Sequence, residues 1–332
     1  MAQGNIQTRG TLGDLGKKGL GPKFEDVFDQ NLIKYEGREN VRRIISFIPT
    51  DKSRVRTTGL TGYGFLTEFE EGSPIPQTEN IKTFDTVYDI RDYGGRVIVT
   101  DDLLEDKEEG LQDKLDEFAG LARLADITPH KHAMQIFNSA FNTTAKVEGV
   151  SIHRYNDEAL GSTSHARADG GTAQSNRSAT DILLTELNLE TQRLALVKQL
   201  TDNGMPIIDQ GRITLVVPDD LEKNATIFTG STLRPSTANN DLNFYRGIQM
   251  DVIASRWLNS DSGGSATAWF LVTQLMTKGG LTSPLRVYTR GAPRFKQTTD
   301  GNTWNESFSV KNRYAVGFSE WKGVQVSDGT ND

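Results

Sequence analysis

The feature that most constrains this chain is a set of apolar residues stepping by four and three: Leu111, Leu115, Phe118, Ala122 and Ala125. That spacing places all five on one face of an α-helix. Asp102, Glu105, Asp106, Glu108 and Glu109 lie at its start and complement the positive end of the helix dipole, with Thr100 or Asp101 able to cap it. Pro129 interrupts the pattern, but Ala133, Ile136, Phe137 and Ala140 resume it. The expectation is a spine helix over 102–141 with a kink at the proline. Residues 102–128 alone would make a rod of about 40 Å at 1.5 Å per residue.

Around this spine the chain alternates in character. Residues 1–21 carry Gly4, Gly10, Gly13, Gly16, Gly19 and Gly21 among polar residues, which reads as a mobile arm. Phe24, Val27 and Phe28 then recur at helical spacing. Between Gly59 and Tyr93 the pattern predicts a long hairpin, with Phe65, Thr67 and Phe69 on one strand face and Phe84, Thr86, Tyr88 and Ile90 on the other. Its tip, EEGSPIPQTEN, contains Pro74 and Pro76, which cannot donate to a ladder. Two strands alone are marginal in water, so such a finger persists when it lies on another molecule. Downstream, RVIVTDD reads as a buried strand, 179–204 as a helix closing at Asn203-Gly204, and RITLVVP and AWFLVT as buried strands. Near the end Phe308, Val310, Tyr314, Val316 and Phe318 alternate as one buried strand face.

Composition narrows the function. Hydrophobic residues are 36% of 332, low for one large core and better suited to an extended molecule with protruding parts. There is no cysteine, so neither disulfides nor thiolate metal sites can form. A net charge of −7 argues against a general nucleic-acid binder. The start lacks the apolar core of a secretory signal, and no run approaches the roughly 18 apolar residues of a membrane span, so the expectation is a soluble protein made in a cytosol.

The candidate chemical motifs do not converge. GSTSHARADGG (161–171) sets Ser162 and Ser164 beside His165, but adjacent residues rarely face each other as nucleophile and base, and the glycine spacing of a nucleophile elbow is missing. The structural alternative, a sharply turning loop held by His165 through bonds to backbone groups, is preferred. His130 and His132 stand two apart, on different helix faces, with His153 as a distant third; a metal site is not expected. GLTGYG (59–64) lacks the Lys-Ser/Thr of a phosphate loop, and the acids of 101–109 suffice as a helix start. The basic residues of VRR (41–43), with Arg54 and Arg56, fit contacts to a neighbour's acids better than a nucleic-acid groove.

The segments STSHARADGGTAQSNRSAT (Ser162–Thr180), LVVPDDLE (Leu215–Glu222), STANNDLNFYRG (Ser236–Gly247), AWFLV (Ala268–Val272) and NRYAVGFSEWKGVQVS (Asn312–Ser327) follow one another in an order that resembles the major head proteins of tailed phages, in particular the Mu-like prophage branch. This chain departs at Asp219 after Pro218, at Glu320 in place of an aspartate, and at Gln325-Val326. The resemblance implies an α+β, Hong Kong 97-like phage capsid fold. Its parts would be an N-terminal arm and the segment leading from it (1–45), an E-loop hairpin (55–95), a peripheral domain (96–174) with its spine helix, an axial domain (175–290), and a return to the peripheral domain (291–332). The implied function is a capsid subunit, not an enzyme, with no catalytic residue, cofactor or metal. Its partners would be identical subunits in pentamers and hexamers and neighbouring capsomers, with portal, scaffolding and cement proteins as further partners. Packaged double-stranded DNA would be enclosed without sequence-specific binding, and no membrane is involved. Glu70, Glu71, Pro74 and Pro76 at the finger tip, with Arg54 and Arg56, are the candidate assembly contacts. The runner-up is an encapsulin-like nanocompartment shell. It is disfavoured because such shells begin with an ordered helix, whereas this chain begins with glycines.

Overall fold

The computed structural model describes residues 17–32, 37–59, 66, 68–77, 82–105, 110–143, 146–147, 149–178, 180–202, 204, 206–207, 211–233, 242–248, 250–277 and 280–330. Helices α1 (Lys17–Asn31) and α2 (Arg38–Ile44) lead to strands β1 (Ser46–Pro49), β2 (Arg54–Thr58), β3 (Asp85–Asp89) and β4 (Arg91–Val99). Helices α3 (Asp101–Glu105) and α4 (Gly110–Asn138) follow, then β5 (Lys146–Val147) and β6 (Val150–His153). The second half runs α5 (Glu186–Val197), β7 (Thr214–Val217), α6 (Asp219–Gly230), α7 (Phe244–Ile248), β8 (Asp251–Ala254), β9 (Trp269–Val272), β10 (Leu275–Thr277) and β11 (Gly280–Thr282). Strands β12 (Leu285–Thr289), β13 (Arg294–Thr299), β14 (Glu306–Phe318) and β15 (Val324–Ser327) complete it.

The spine is α4, and its apolar stripe is buried as its spacing requires. Leu115, Phe118, Ala122 and Ala125 pack with Phe24 and Phe28 of α1, Val97 and Val99 of β4, and Phe308 and Val310 of β14. Phe24 stacks on Phe308 at 3.7 Å between ring centroids. Burial of each of the Leu, Val and Phe side chains contributes about 1.5–3 kcal/mol. Helix α1 replaces the mobile arm expected for residues 17–21, because Phe24 and Phe28 anchor the helix on the spine and carry the glycines before them. Of the expected 102–141 spine, helix is described over Asp101–Glu105 and Gly110–Asn138, residues 106–109 lie outside the described residues, and Ser139–Phe141 turn out of the helix. The N–H of Asp101 donates to Asn305 Oδ1 at 3.2 Å, so the cap at α3 is supplied from across the fold.

Pro129 lies inside α4 without ending it. Its missing N–H orphans the carbonyl four residues earlier, that of Ala125. Asn312 Nδ2 of β14 donates to that oxygen at 3.0 Å. A strand side chain thus fills the bond the proline removes.

Two sheets pack against α4. The larger has the order β1-β12-β14-β6-β5, with β4 and β13 also paired to β14. The long β14 is antiparallel to β4 from Glu306 opposite Val99 to Tyr314 opposite Arg91, then parallel to β6 at Val316 and Gly317. The smaller sheet has the order β15-β9-β7-β8, with β7 parallel to β8. Leu215, Val217, Trp269 and Leu271 face the helices α5–α7, while Val216, Phe270 and Val272 face the same core as Phe137 and Val316. With both faces covered, these strands read as unbroken apolar runs.

Some expectations shift against this frame. Only one face of β4 is buried, through Val97 and Val99. Helix α5 spans Glu186–Val197, not 179–204: Thr185 caps it, accepting from the N–H of Asn188, and a turn at Gly204 (φ +74°) follows separately. Strand β12 joins the larger sheet and β15 the smaller, so residues 290 and 291 do not divide the two sheets. Arg43 of α2 meets Asp251 at 2.5 Å within the chain, so it is not free for a neighbour's acid.

Candidate functional site: the sheet junction and the finger

The loop at 161–177 lies where the two sheets meet. His165 is fully buried, its ring stacked on Trp321 at 4.3 Å and 3°. Its Nδ1 lies 2.8 Å from Glu158 Oε2 and its Nε2 lies 2.9 Å from Asn176 Oδ1. Both ring nitrogens are therefore engaged, and neither is left for a serine. Ser162 Oγ accepts the N–H of Ser164 at 3.1 Å, a local turn bond, and Ser164 is exposed. The expected loop is present, but the His165 side chain bonds to side chains. It is the backbone of His165 that pairs with another backbone, exchanging two bonds with Gln174.

Asn176 is the second anchor. Its Nδ2 donates to the Leu160 carbonyl at 2.7 Å, its Oδ1 accepts the Ser162 N–H at 3.0 Å, and its carbonyl accepts the Val326 N–H at 2.9 Å. Gly161 is a close-approach position, since a Cβ there would lie 2.2 Å from Val326 Cγ2. The loop is thereby sewn to β15 and the turn before it.

Sequence reasoning missed a buried charge cluster beside this contact. Lys322 is completely buried, with Nζ 3.2 Å from Glu320 Oε1, 3.2 Å from Asp202 Oδ1 and 4.9 Å from the Trp321 ring centroid. Burial pushes the Asp202 carboxyl above its ordinary range, with Lys322 opposing that shift. Such clusters add little net stability against an apolar substitute but strongly penalise loss of one member. Residues 202 and 322 are far apart in sequence, so no local pattern could have paired them.

The other histidines diverge. His130 Nδ1 lies 2.7 Å from the Asp126 carbonyl, and its ring stacks on Phe47; His132 Nδ1 lies 2.7 Å from Tyr314 Oη. Burial lowers the pKa of His130 and of His153. Among the described residues no cluster of three metal-ligating side chains exists, and no helix is long and apolar enough to cross a membrane. GLTGYG lies, apart from Gly59, outside the described residues.

The finger is the other distinctive feature. Its paired strands are β2 and β3, from Arg54 opposite Asp89 to Thr58 opposite Asp85. Phe65 and Thr67 lie outside the described residues, and Phe69 is not in a strand. Thr86 and Tyr88 are buried as their alternation required, with Tyr88 against Tyr288. Arg54 reaches Asp89 at 2.6 Å and Arg56 reaches Asp85 at 2.5 Å, so both are cross-strand partners within the hairpin. A hydrogen bond from Thr58, then Arg56 and Lys82, hold the Asp85 carboxyl below its ordinary range. Beyond the ladder, residues 68–77 are all exposed, including Glu70, Glu71, Pro74 and Pro76. Leu66 is 93% exposed and Ile75 78%.

Residues 82–327 match the family described as phage capsid protein. No curated protein matches the chain. Among solved structures, one from Mycobacterium phage Patience is 14% identical, covers 98% of this chain and 93% of its own, and superposes with a TM-score of 0.52. The capsid asymmetric unit of cyanophage Pam1 is 10% identical over 90% of this chain and 94% of its own, with a TM-score of 0.49. A virus-like particle from Pyrococcus furiosus is 11% identical over 92% and 98%, with a TM-score of 0.44. At such identities the likeness concerns the fold alone, and the Patience structure carries it.

Proposed function

The chain belongs to the phage capsid protein family, and we propose that its copies assemble into pentamers and hexamers that close an icosahedral head around double-stranded DNA. It has the α+β, Hong Kong 97-like fold of such subunits. The role is structural: His165 and the Ser162 hydroxyl, weighed as catalytic groups, hold the loop at the sheet junction. Assembly takes place in the host cytoplasm, and the product is the virion shell, with portal, scaffolding and cement proteins as partners outside the lattice of identical copies.

The observation that carries this reading is the finger. A two-stranded ribbon anchored at its root and bare at its tip, with Leu66 and Ile75 exposed, gains cover from a second molecule. Helix α5 supports it with a second uncovered stripe, Leu187, Leu194 and Val197. We assign Glu70, Glu71, Pro74 and Pro76 to the contact with a neighbouring copy, with Arg54 and Arg56 stiffening the root. The finger, α1 and the junction would correspond to E-loop, arm and hinge between peripheral and axial parts.

Electron microscopy of the purified protein tests the proposal. Closed shells of uniform size are expected; a monodisperse monomer at assembly-promoting concentration and salt would sink it. The glycine-rich start no longer separates a phage head from an encapsulin-like shell, because Lys17–Asn31 is helical. The contents separate them: nucleic acid in virions, against a protein cargo.

A further inference from the structure

Between the root of the finger and the β5–β6 hairpin lies a cleft of about 730 Å³, lined by Phe84, Asp85, Arg91, Lys146, His153 and Arg154 among others. Arg154 is only 8% exposed, and its Nε and Nη2 have no hydrogen-bond partner. A guanidinium is a planar fork suited to bidentate carboxylate binding, and leaving one buried without an acceptor is costly. Asp85 is spent on Arg56 and Thr58. Asp157 also opens on the cleft and acts on Arg154 through its charge, without forming an ion pair with it. Arg91 and Lys146 stand exposed at the rim. The cleft thus presents three cations and one unspent acid, with a buried donor pair awaiting an acceptor.

The same chain carries a matching anion. Glu68, Glu70 and Glu71 are exposed on the finger, and none of them pairs with a cation among the described residues. The cleft sits at the root of that finger. Twelve residues separate Thr58 from Glu70, a reach of up to about 40 Å when extended. None of the described tip residues lines the cleft of its own chain, which leaves the tip available to the cleft of another copy.

We propose that this cleft receives the acidic finger tip of a second copy of the chain, with Arg154 forking onto a carboxylate of Glu68, Glu70 or Glu71 and with Arg91 and Lys146 flanking it. The inference rests on the shell reading and names the receptor that reading leaves open. Because the tip's acids meet cations rather than the acids that dominate the chain, the pairing also fixes the register of one copy on the next.

The chain contains no cysteine, so engineered cysteines report cleanly. Glu70→Cys combined with Lys146→Cys leaves Glu68, Glu71 and Arg154 in place. After oxidation of assembled shells, non-reducing gels should show a ladder of covalent multimers that neither single variant gives. Shells that form without the ladder, or a bridge that closes within one chain, overturn the inference and leave the shell reading standing. Failure of the unmodified protein to form shells defeats that reading itself. A second measurement uses Arg154→Met and the triple change Glu68→Gln, Glu70→Gln, Glu71→Gln. Each should raise the concentration needed for assembly roughly tenfold or more, and together no further. Arg154→Met shells that assemble normally but package less nucleic acid would assign the cleft to phosphate and overturn the proposal.

Discussion

The loop at 161–177 and the finger tip at 66–77 are alike in composition and opposite in fate. Both are short of aliphatic residues and carry glycine, serine and charge. In the loop His165 and Asn176 are fully buried, whereas the described residues of the tip are exposed throughout. The difference is supplied from outside each stretch. Trp321 and Val326 arrive from some 150 residues away to cover the loop and accept its geometry, and none of the described residues covers the tip. A polar loop is ordered by whatever packs on it. On the proposed shell reading, the one left bare is the one a neighbouring copy would cover.

The largest expected effect breaks the covered side of this comparison. Trp321→Ala removes the ring beneath His165 and the surface over which Lys322 lies. A loss of about 3–5 kcal/mol is expected from the cavity and the lost burial. It should appear as a lower denaturant midpoint with an unchanged slope. Near-normal stability would mean that the loop keeps its order without its distant partner.

How much of this was legible in the sequence follows the same division. The spine stripe from Leu115 to Phe137, the alternation of β14 and the buried runs of β7 and β9 depend on neighbours three, four or two residues away, and the periodicity shows them. The junction and the proline repair in the spine depend on pairs such as Asn176 with Val326, Lys322 with Asp202, and Asn312 with Ala125, whose partners lie 120 to 190 residues apart. No window contains both members. Pro129 illustrates the limit: its local signal is a broken helix, and the amide that repairs the break belongs to another strand. The finger shows the limit from another side: the alternation at 65–69 suggests a strand, yet Phe69 is in none, and the described ladder pairs Arg54–Thr58 with Asp85–Asp89. The acid–cation pairs Arg54–Asp89 and Arg56–Asp85 fix that register, and they become visible only once the partner strand is placed.

Glycine substitutions sharpen the comparison at intermediate cost. Gly161→Ala forces a methyl against Val326, an overpacking penalty of about 1–3 kcal/mol. Gly72 meets nothing within 4 Å of an added Cβ, but its φ of +84° disfavours any other residue, so Gly72→Ala should cost about 1 kcal/mol through conformation alone. Paired unfolding curves distinguish crowding from backbone strain. The further substitution Val326→Ala should relieve Gly161→Ala and leave Gly72→Ala unchanged. Rescue of both, or of neither, would erase the distinction drawn between the two stretches.

The smallest effect on the fold is expected where the effect on assembly is greatest. Changing Pro74 and Pro76 to Ala touches no buried atom of the subunit, so the unfolding midpoint of unassembled protein should not move. The same change frees a chain that proline holds extended, and the entropy lost on docking increases. Assembly followed by light scattering should then need more protein, while shells that do form keep their diameter. A fall in subunit stability would show that the tip packs on its own body. An unaltered assembly curve would show that its stiffness plays no part in the contact, leaving the exposed apolar residues and the acids to account for it.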